Sequence, residues 1–204
     1  SVVARSLYHG STVHGSQYVG DELRALPTTY YGIDSGVGLT IAALRSVREE
    51  PGGLRIGGIG LGAGTIAAHG READHFCFYE IDPDVVRIAE EHFFYLAESA
   101  AAVETVVGDA RALLDQELSD GRPGRFDLLV VDAFSGDAIP VHLLTREAFE
   151  LYVHHLAPSG TIAVHVSNRH LDLQPVLRRL AETLGYDALP LVSVDDGLGA
   201  FAAE

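Results

Sequence analysis

The chain contains no methionine, not even at its start, so the expectation is a processed product or a piece of something longer. Its one cysteine, Cys77, lies in the apolar stretch Phe76-Cys-Phe-Tyr79, so no intrachain disulfide can form, and a buried thiol is expected rather than a nucleophile. Such cysteine usage suits a reducing compartment, and a cytoplasmic setting is expected. Long apolar runs are also missing. None approaches the roughly 20 residues that cross a bilayer, and the opening Ser-Val-Val-Ala-Arg lacks the charged-then-apolar order of a signal sequence. A soluble fragment without direct membrane contact is therefore expected. Basic charge is short too: 14 Lys and Arg stand against 29 Asp and Glu, a net charge of −15. That balance disfavours nucleic acid and anionic membranes as partners and favours cationic ligands, although acidity of this kind also simply keeps proteins soluble.

What is present fits one α/β domain with a small appendage, since 204 residues can bury a continuous core unaided. Residues 7–18 carry β-formers broken by glycines and predict a hairpin. Leu39, Ile41, Ala42, Leu44 and Val47 then predict a helix that stops before Pro51-Gly-Gly. From Leu54 the text alternates between apolar runs and helical patterns. Strands are predicted over 54–59, 76–81, 103–107, 126–131, 161–166 and 186–192. Asp82-Pro83, Asp109 and Thr145 are placed to cap the intervening helices. The run Phe126 to Val131 has the near-continuous apolar character of a parallel strand buried on both faces. The prediction is a doubly wound, mainly parallel α/β sheet, with an N-terminal β element over 1–34 and a nucleoside-binding domain over 35–204.

In such sheets ligands bind beyond the carboxyl ends of the strands. Gly60, Gly62 and Gly64 fall in the first strand-to-helix turn, where missing side chains let backbone approach a ligand and the following helix start offers oriented N–H groups. Glu80, 20 residues beyond Gly60, ends the second strand, where an acid commonly meets ribose hydroxyls. Asp82 is better explained as a helix cap. Asp109 is equally a cap or, with the Ala110 backbone, a contact for a purine edge, and Asp132 ends the fourth strand. A dinucleotide reading competes, because Gly58-Ile-Gly60-Leu-Gly-Ala63 satisfies a loose nicotinamide fingerprint. It leaves the acids after the third and fourth strands without a role.

The stretches Ile59-Gly-Leu-Gly-Ala-Gly-Thr65, Tyr79-Glu-Ile-Asp-Pro83, Val107-Gly-Asp-Ala110 and Phe126-Asp-Leu-Leu-Val-Val-Asp-Ala133 resemble the aminopropyltransferases, spermidine synthase and its relatives. The resemblance implies a class I methyltransferase-like (Rossmann-like) fold with a small N-terminal β-domain. It also implies aminopropyl transfer from decarboxylated S-adenosylmethionine to an amine such as putrescine, in polyamine biosynthesis. In these terms Gly60, Gly62 and Gly64 line the cofactor loop, Glu80 binds ribose, Asp109 and Ala110 bracket adenine, and Asp132 is the catalytic acid-base residue. The family's short Asp-Ser-x-Asp-Pro loop is longer here, Asp132-Ala-Phe-Ser-Gly-Asp137-Ala-Ile-Pro140, with Asp137 as the second aspartate. Where the family has a Tyr-Gln pair before the glycine loop, this chain has Ser35-Gly-Val-Gly-Leu39. Tyr30 and Tyr31 are the substitutes for the amine site, and His14 or Gln17 would cover the cofactor tail.

Such a transfer needs a carboxylate near the acceptor, because a protonated amine is not a nucleophile. A second carboxylate would hold an ammonium group by charge-assisted hydrogen bonds. The partner implied is a small cationic amine, and a homodimer is compatible with the sequence. No histidine pair has metal-site spacing, so no metal is expected, and His154, His155 and His165 are read as packing or surface residues. Leu143-Leu-Thr-Arg-Glu-Ala-Phe-Glu-Leu-Tyr152 and Val164-His-Val-Ser-Asn-Arg169 resemble a subgroup often joined to membrane-spanning segments, which would make this the cytoplasmic part of a larger protein. Three other readings stand beside the transferase: methyl transfer from S-adenosylmethionine, a non-catalytic nucleoside-binding domain, and, weakest, a dehydrogenase.

Overall fold

The computed structural model describes residues 3–9, 12–47, 52–133, 140–166 and 172–191. The chain opens with an antiparallel hairpin of β1 (Ala4–His9) and β2 (Thr12–Tyr18), in which Ala4 pairs with Tyr18 and His9 with Thr12. A 3₁₀ turn over Thr29–Tyr31 leads to α1 (Gly36–Val47), whose first turn is closed by Ser35 Oγ accepting from the Gly38 amide at 3.0 Å.

A repeated strand-helix unit follows: β3 (Arg55–Ile59), a 3₁₀ turn at Thr65–His69, β4 (His75–Glu80), α2 (Pro83–His92), β5 (Ala102–Val107), α3 (Ala110–Ser119) and β6 (Phe126–Val131). A 3₁₀ turn at Val141–Leu143, α4 (Arg146–His154), β7 (Leu156–Val164) and α5 (Gln174–Leu184) complete the order. The predicted caps form. Asp82, Asp109 and Thr145 accept from the amides of Asp84, Ala112 and Ala148 respectively, so short polar side chains set three helix starts.

The five-stranded sheet is parallel and ordered β5-β4-β3-β6-β7. The chain therefore builds outward from β3 to β5 and then returns to the other side of β3, which puts the reversal of strand order between β3 and β6. Both faces are covered. Along β6, Leu128 and Val130 enter one core with Ile41, Phe76 and Phe78, while Leu129 and Val131 enter the other with Leu114, Phe149 and Tyr152. This period-two division is why the run reads as continuously apolar.

Two strand expectations are corrected. The fifth strand starts at Leu156, not Thr161, because the predicted Pro158-Ser-Gly turn is absorbed as an irregularity: Ser159 takes φ 65°, and the pairing with β6 shifts register between Phe126 and Leu128. The sixth strand does not form over Tyr186–Leu191. Pro190 has no amide to donate, and Leu189 is 80% exposed, so nothing compensates for ordering that segment in a sheet; Val192 lies outside the described residues. Among the described residues no helix is long and apolar enough to cross a membrane.

Candidate functional site

The carboxyl ends of β3, β4, β5 and β6 converge on a cavity of about 310 Å³. Its floor is the glycine loop. Gly60 has φ 97°, and a methyl placed on it would lie 2.4 Å from the Asp132 carbonyl oxygen, so only glycine lets β3 and β6 turn away side by side. Gly62 has φ 55° and faces the His14 carbonyl oxygen, which would be 2.3 Å from an added methyl. The same carbonyl accepts from the Ala63 amide at 3.0 Å, fastening the N-terminal hairpin to the loop. Gly64 is set apart from the cavity: it starts the 3₁₀ turn and packs on Leu96.

Glu80 ends β4 and is 8% exposed. One of its oxygens accepts from the Leu61 amide at 2.9 Å and the other from the Asp82 amide at 3.0 Å, so the carboxylate ties the glycine loop to the start of α2. Each oxygen keeps a lone pair for a ligand hydroxyl. Asp82 lines the cavity while capping α2. Asp109 caps α3 with one oxygen and meets His142 Nε2 at 3.1 Å with the other. Burial pushes the Asp109 carboxyl up, but hydrogen bonds from the Ala112 amide and the His142 ring outweigh it and leave the group below the usual carboxylate range. Ala110 and His142 line the same end of the cavity.

Asp132 stands at the reversal of strand order. Its amide donates to Ile59 O at 2.9 Å, and its side chain is 6% exposed. Tyr31 donates its hydroxyl to Oδ2, and His165 Nδ1 lies 2.7 Å from Oδ1. Tyr30 completes the cluster, with ring centroids 4.4 Å from both Tyr31 and His165. Burial, then the nearby Asp132 charge, push the Tyr30 phenol well above its ordinary range, so it remains a neutral donor, directed to Val13 O. The turn carrying these tyrosines is held by His69 Nε2, 2.6 Å from Tyr31 O. Burial, with Arg45 nearby, pushes the His69 imidazole down to about 4.

The structure thus brings Gly60, Gly62, Glu80, Asp109, Ala110, Asp132, Tyr30, Tyr31 and His14 to one cavity. Gln17 is not among them. It is 2% exposed, donates to Arg24 O at 2.9 Å and accepts from the Phe94 amide at 2.9 Å, so both ends of its amide are engaged in joining the hairpin to the domain. Asp137 and Ser167-Asn-Arg169 lie outside the described residues. The sequence pattern places His165 inside a strand, as a packing or surface residue. Because β7 ends at Val164, His165 instead takes the first position past the carboxyl edge, beside Asp132. The edge rule that singled out Asp132 would have found it had the end of the strand been known.

No family model matches the chain. Over 110 residues, covering 52% of this chain and 36% of the relative, it is 34% identical to a polyamine aminopropyltransferase of Vibrio vulnificus strain CMCP6. Over 108 residues, covering 53% of this chain and 18% of the relative, it is 32% identical to an N-terminal histidine N-methyltransferase of Emericella nidulans. The chain spans well under half the length of either curated relative. Among solved structures it matches a probable spermidine synthase from Corynebacterium glutamicum ATCC 13032 with a TM-score of 0.61 and 22% identity, covering 90% of this chain and 67% of that one. Methyltransferase structures share the same fold. The chain is therefore spermidine synthase-like in sequence over about half its length and class I methyltransferase-like in fold.

Proposed function

We propose that this domain is an aminopropyltransferase that takes decarboxylated S-adenosylmethionine as donor and a small cationic amine, such as putrescine, as acceptor. The observation that carries this reading is the charge of the cavity. Among its described lining residues are five acids, Glu80, Asp82, Asp84, Asp109 and Asp132, and neither lysine nor arginine. A ligand carboxylate brought within about 4 Å of one of these meets roughly 4 kcal/mol of repulsion at an effective dielectric near 20, whereas an ammonium gains by a similar amount. The aminopropyl donor lacks the carboxylate that S-adenosylmethionine carries, so it suits this lining better.

In this reading Gly60 and Gly62 let the donor approach the backbone. Glu80 receives the ribose hydroxyls, and Asp109 with Ala110 borders adenine. Tyr30, Tyr31 and His14 wall the acceptor end, and the element over 1–34 covers the cleft that the domain over 35–204 forms. Asp137 is proposed as the second amine-holding carboxylate from the sequence alone. The acceptor nitrogen attacks the donor's propyl carbon next to sulfur, the carbon–sulfur electron pair returns to sulfur, and neutral methylthioadenosine leaves. The attack leaves the nitrogen as a secondary ammonium, and Asp132 takes its proton to give the neutral secondary amine.

The test is release of methylthioadenosine from decarboxylated S-adenosylmethionine and putrescine, compared with Asp132→Asn. Loss of the proton acceptor is expected to lower kcat by about 10²- to 10⁴-fold, with donor binding retained in calorimetry. No release with any of a panel of amines refutes the proposal. The likeness to a histidine N-methyltransferase favours a second reading, methyl transfer. Tighter binding of S-adenosylmethionine than of its decarboxylated form, with S-adenosylhomocysteine as product, would select it.

A further inference from the structure

We propose that His165 is a positioning residue for Asp132, clamping the carboxylate that takes the acceptor's proton; this rests on the aminopropyltransferase reading above. An ionised carboxylate only accepts hydrogen bonds, so at 2.7 Å the Nδ1 atom of His165 must carry the hydrogen and donate it to Oδ1. Tyr31 donates to Oδ2 from the opposite end of the chain. With both oxygens gripped and the backbone amide tied to Ile59 O, the Asp132 carboxylate has one orientation relative to the cavity.

The imidazole is itself held. Its backbone amide donates to Val131 O at 3.0 Å, continuing the pairing of β6 and β7 one residue past the strand, and the Tyr30 ring lies 4.4 Å away at 40°. Asp132 borders the cavity whereas His165 is not among its lining residues, so the histidine acts through the aspartate rather than on the substrate. The arrangement does two things. It offsets the cost of burying a carboxylate that is 6% exposed, and it leaves the remaining lone pairs directed where an attacking amine must present its proton.

Asparagine is the informative replacement, because its amide nitrogen sits near the place of imidazole Nδ1 and can make the same donation. His165→Ala is expected to lower kcat on the order of tenfold to a hundredfold, with the KM for decarboxylated S-adenosylmethionine unchanged. His165→Asn is expected to recover most of that loss. Parental kcat in His165→Ala, or equal impairment of the two variants, overturns the proposal. A second measurement needs no turnover: ring ¹⁵N shifts of His165 in the unliganded protein. The Nδ1–H tautomer is expected in the parent, reverting in Asp132→Ala to the Nε2–H form favoured in water. Identical ring shifts in the two proteins overturn the clamp. If no amine is turned over at all, the transferase reading fails, while the ¹⁵N comparison still decides whether Asp132 and His165 are coupled.

Discussion

Replacing Gly60 with alanine tests the contact on which the cleft is built. The new methyl would sit 2.4 Å from the Asp132 carbonyl oxygen and 2.9 Å from its carbon, on a residue with φ 97°. The left-handed backbone costs a non-glycine residue about 1–2 kcal/mol, and forcing backbone aside adds about 1–3 kcal/mol. The sum, roughly 2–5 kcal/mol, is a large part of a typical domain's 5–15 kcal/mol. At about 2–4 °C per kcal/mol for a chain of this size, Tm should fall by roughly 4–20 °C. Gly121→Ala supplies the control, since Gly121 also has positive φ, 71°, but nothing lies within 4 Å of an added methyl. Both variants lose the same glycine entropy from the unfolded chain, so their difference isolates the clash. The assay is thermal and urea unfolding followed by circular dichroism, with calorimetric binding of methylthioadenosine on the folded fraction. Equal stability of the two variants would refute the claim that β3 and β6 meet too closely for any side chain at Gly60.

Three further outcomes are expected. Asp132→Asn should lower the rate of methylthioadenosine release by about 10²- to 10⁴-fold while leaving donor binding intact, as read by product formation and calorimetry. Gln17→Ala should leave kcat unchanged and cost about 1–3 kcal/mol in urea unfolding, because it removes two part-buried hydrogen bonds, to the Arg24 carbonyl and from the Phe94 amide; a selective loss of kcat would return Gln17 to the active site. His69 is neutral in the folded protein, with its imidazole pushed from 6.5 down to about 4 by burial and Arg45. The unfolded chain therefore takes up the proton first, so this contribution is complete above pH 6.5 and is lost as pH falls toward 4. Between pH 7.5 and pH 5 the loss should be about 2 kcal/mol or less, and His69→Gln should flatten that limb of the pH–stability curve.

Local physics made much of the architecture legible. A helix start needs only a short polar side chain beside its first amides, so Asp82, Asp109 and Thr145 were recognisable without knowledge of the rest of the fold. The same holds for the strand–glycine–helix turn at Gly60 and for Glu80 one strand later. Two predicted boundaries missed because they depended on neighbours: β7 begins before a proline-serine-glycine stretch that tolerates a register shift against β6, and Tyr186–Leu191 finds no strand to pair with among the described residues.

The sequence by itself determined the alternating α/β order, the glycine loop, the acid that ends β4 and the acidic charge of the molecule, all of which follow from residue type and short spacing. Only the tertiary structure decided what surrounds Asp132. Tyr31 reaches it from 101 residues away and His165 from 33, and no local pattern encodes either separation. The same folding that seats His165 beside Asp132 turns Gln17 away into the joint with Phe94. Which polar side chain enters a site and which supports it depends on where strand order reverses, a property of the assembled sheet that no single segment carries.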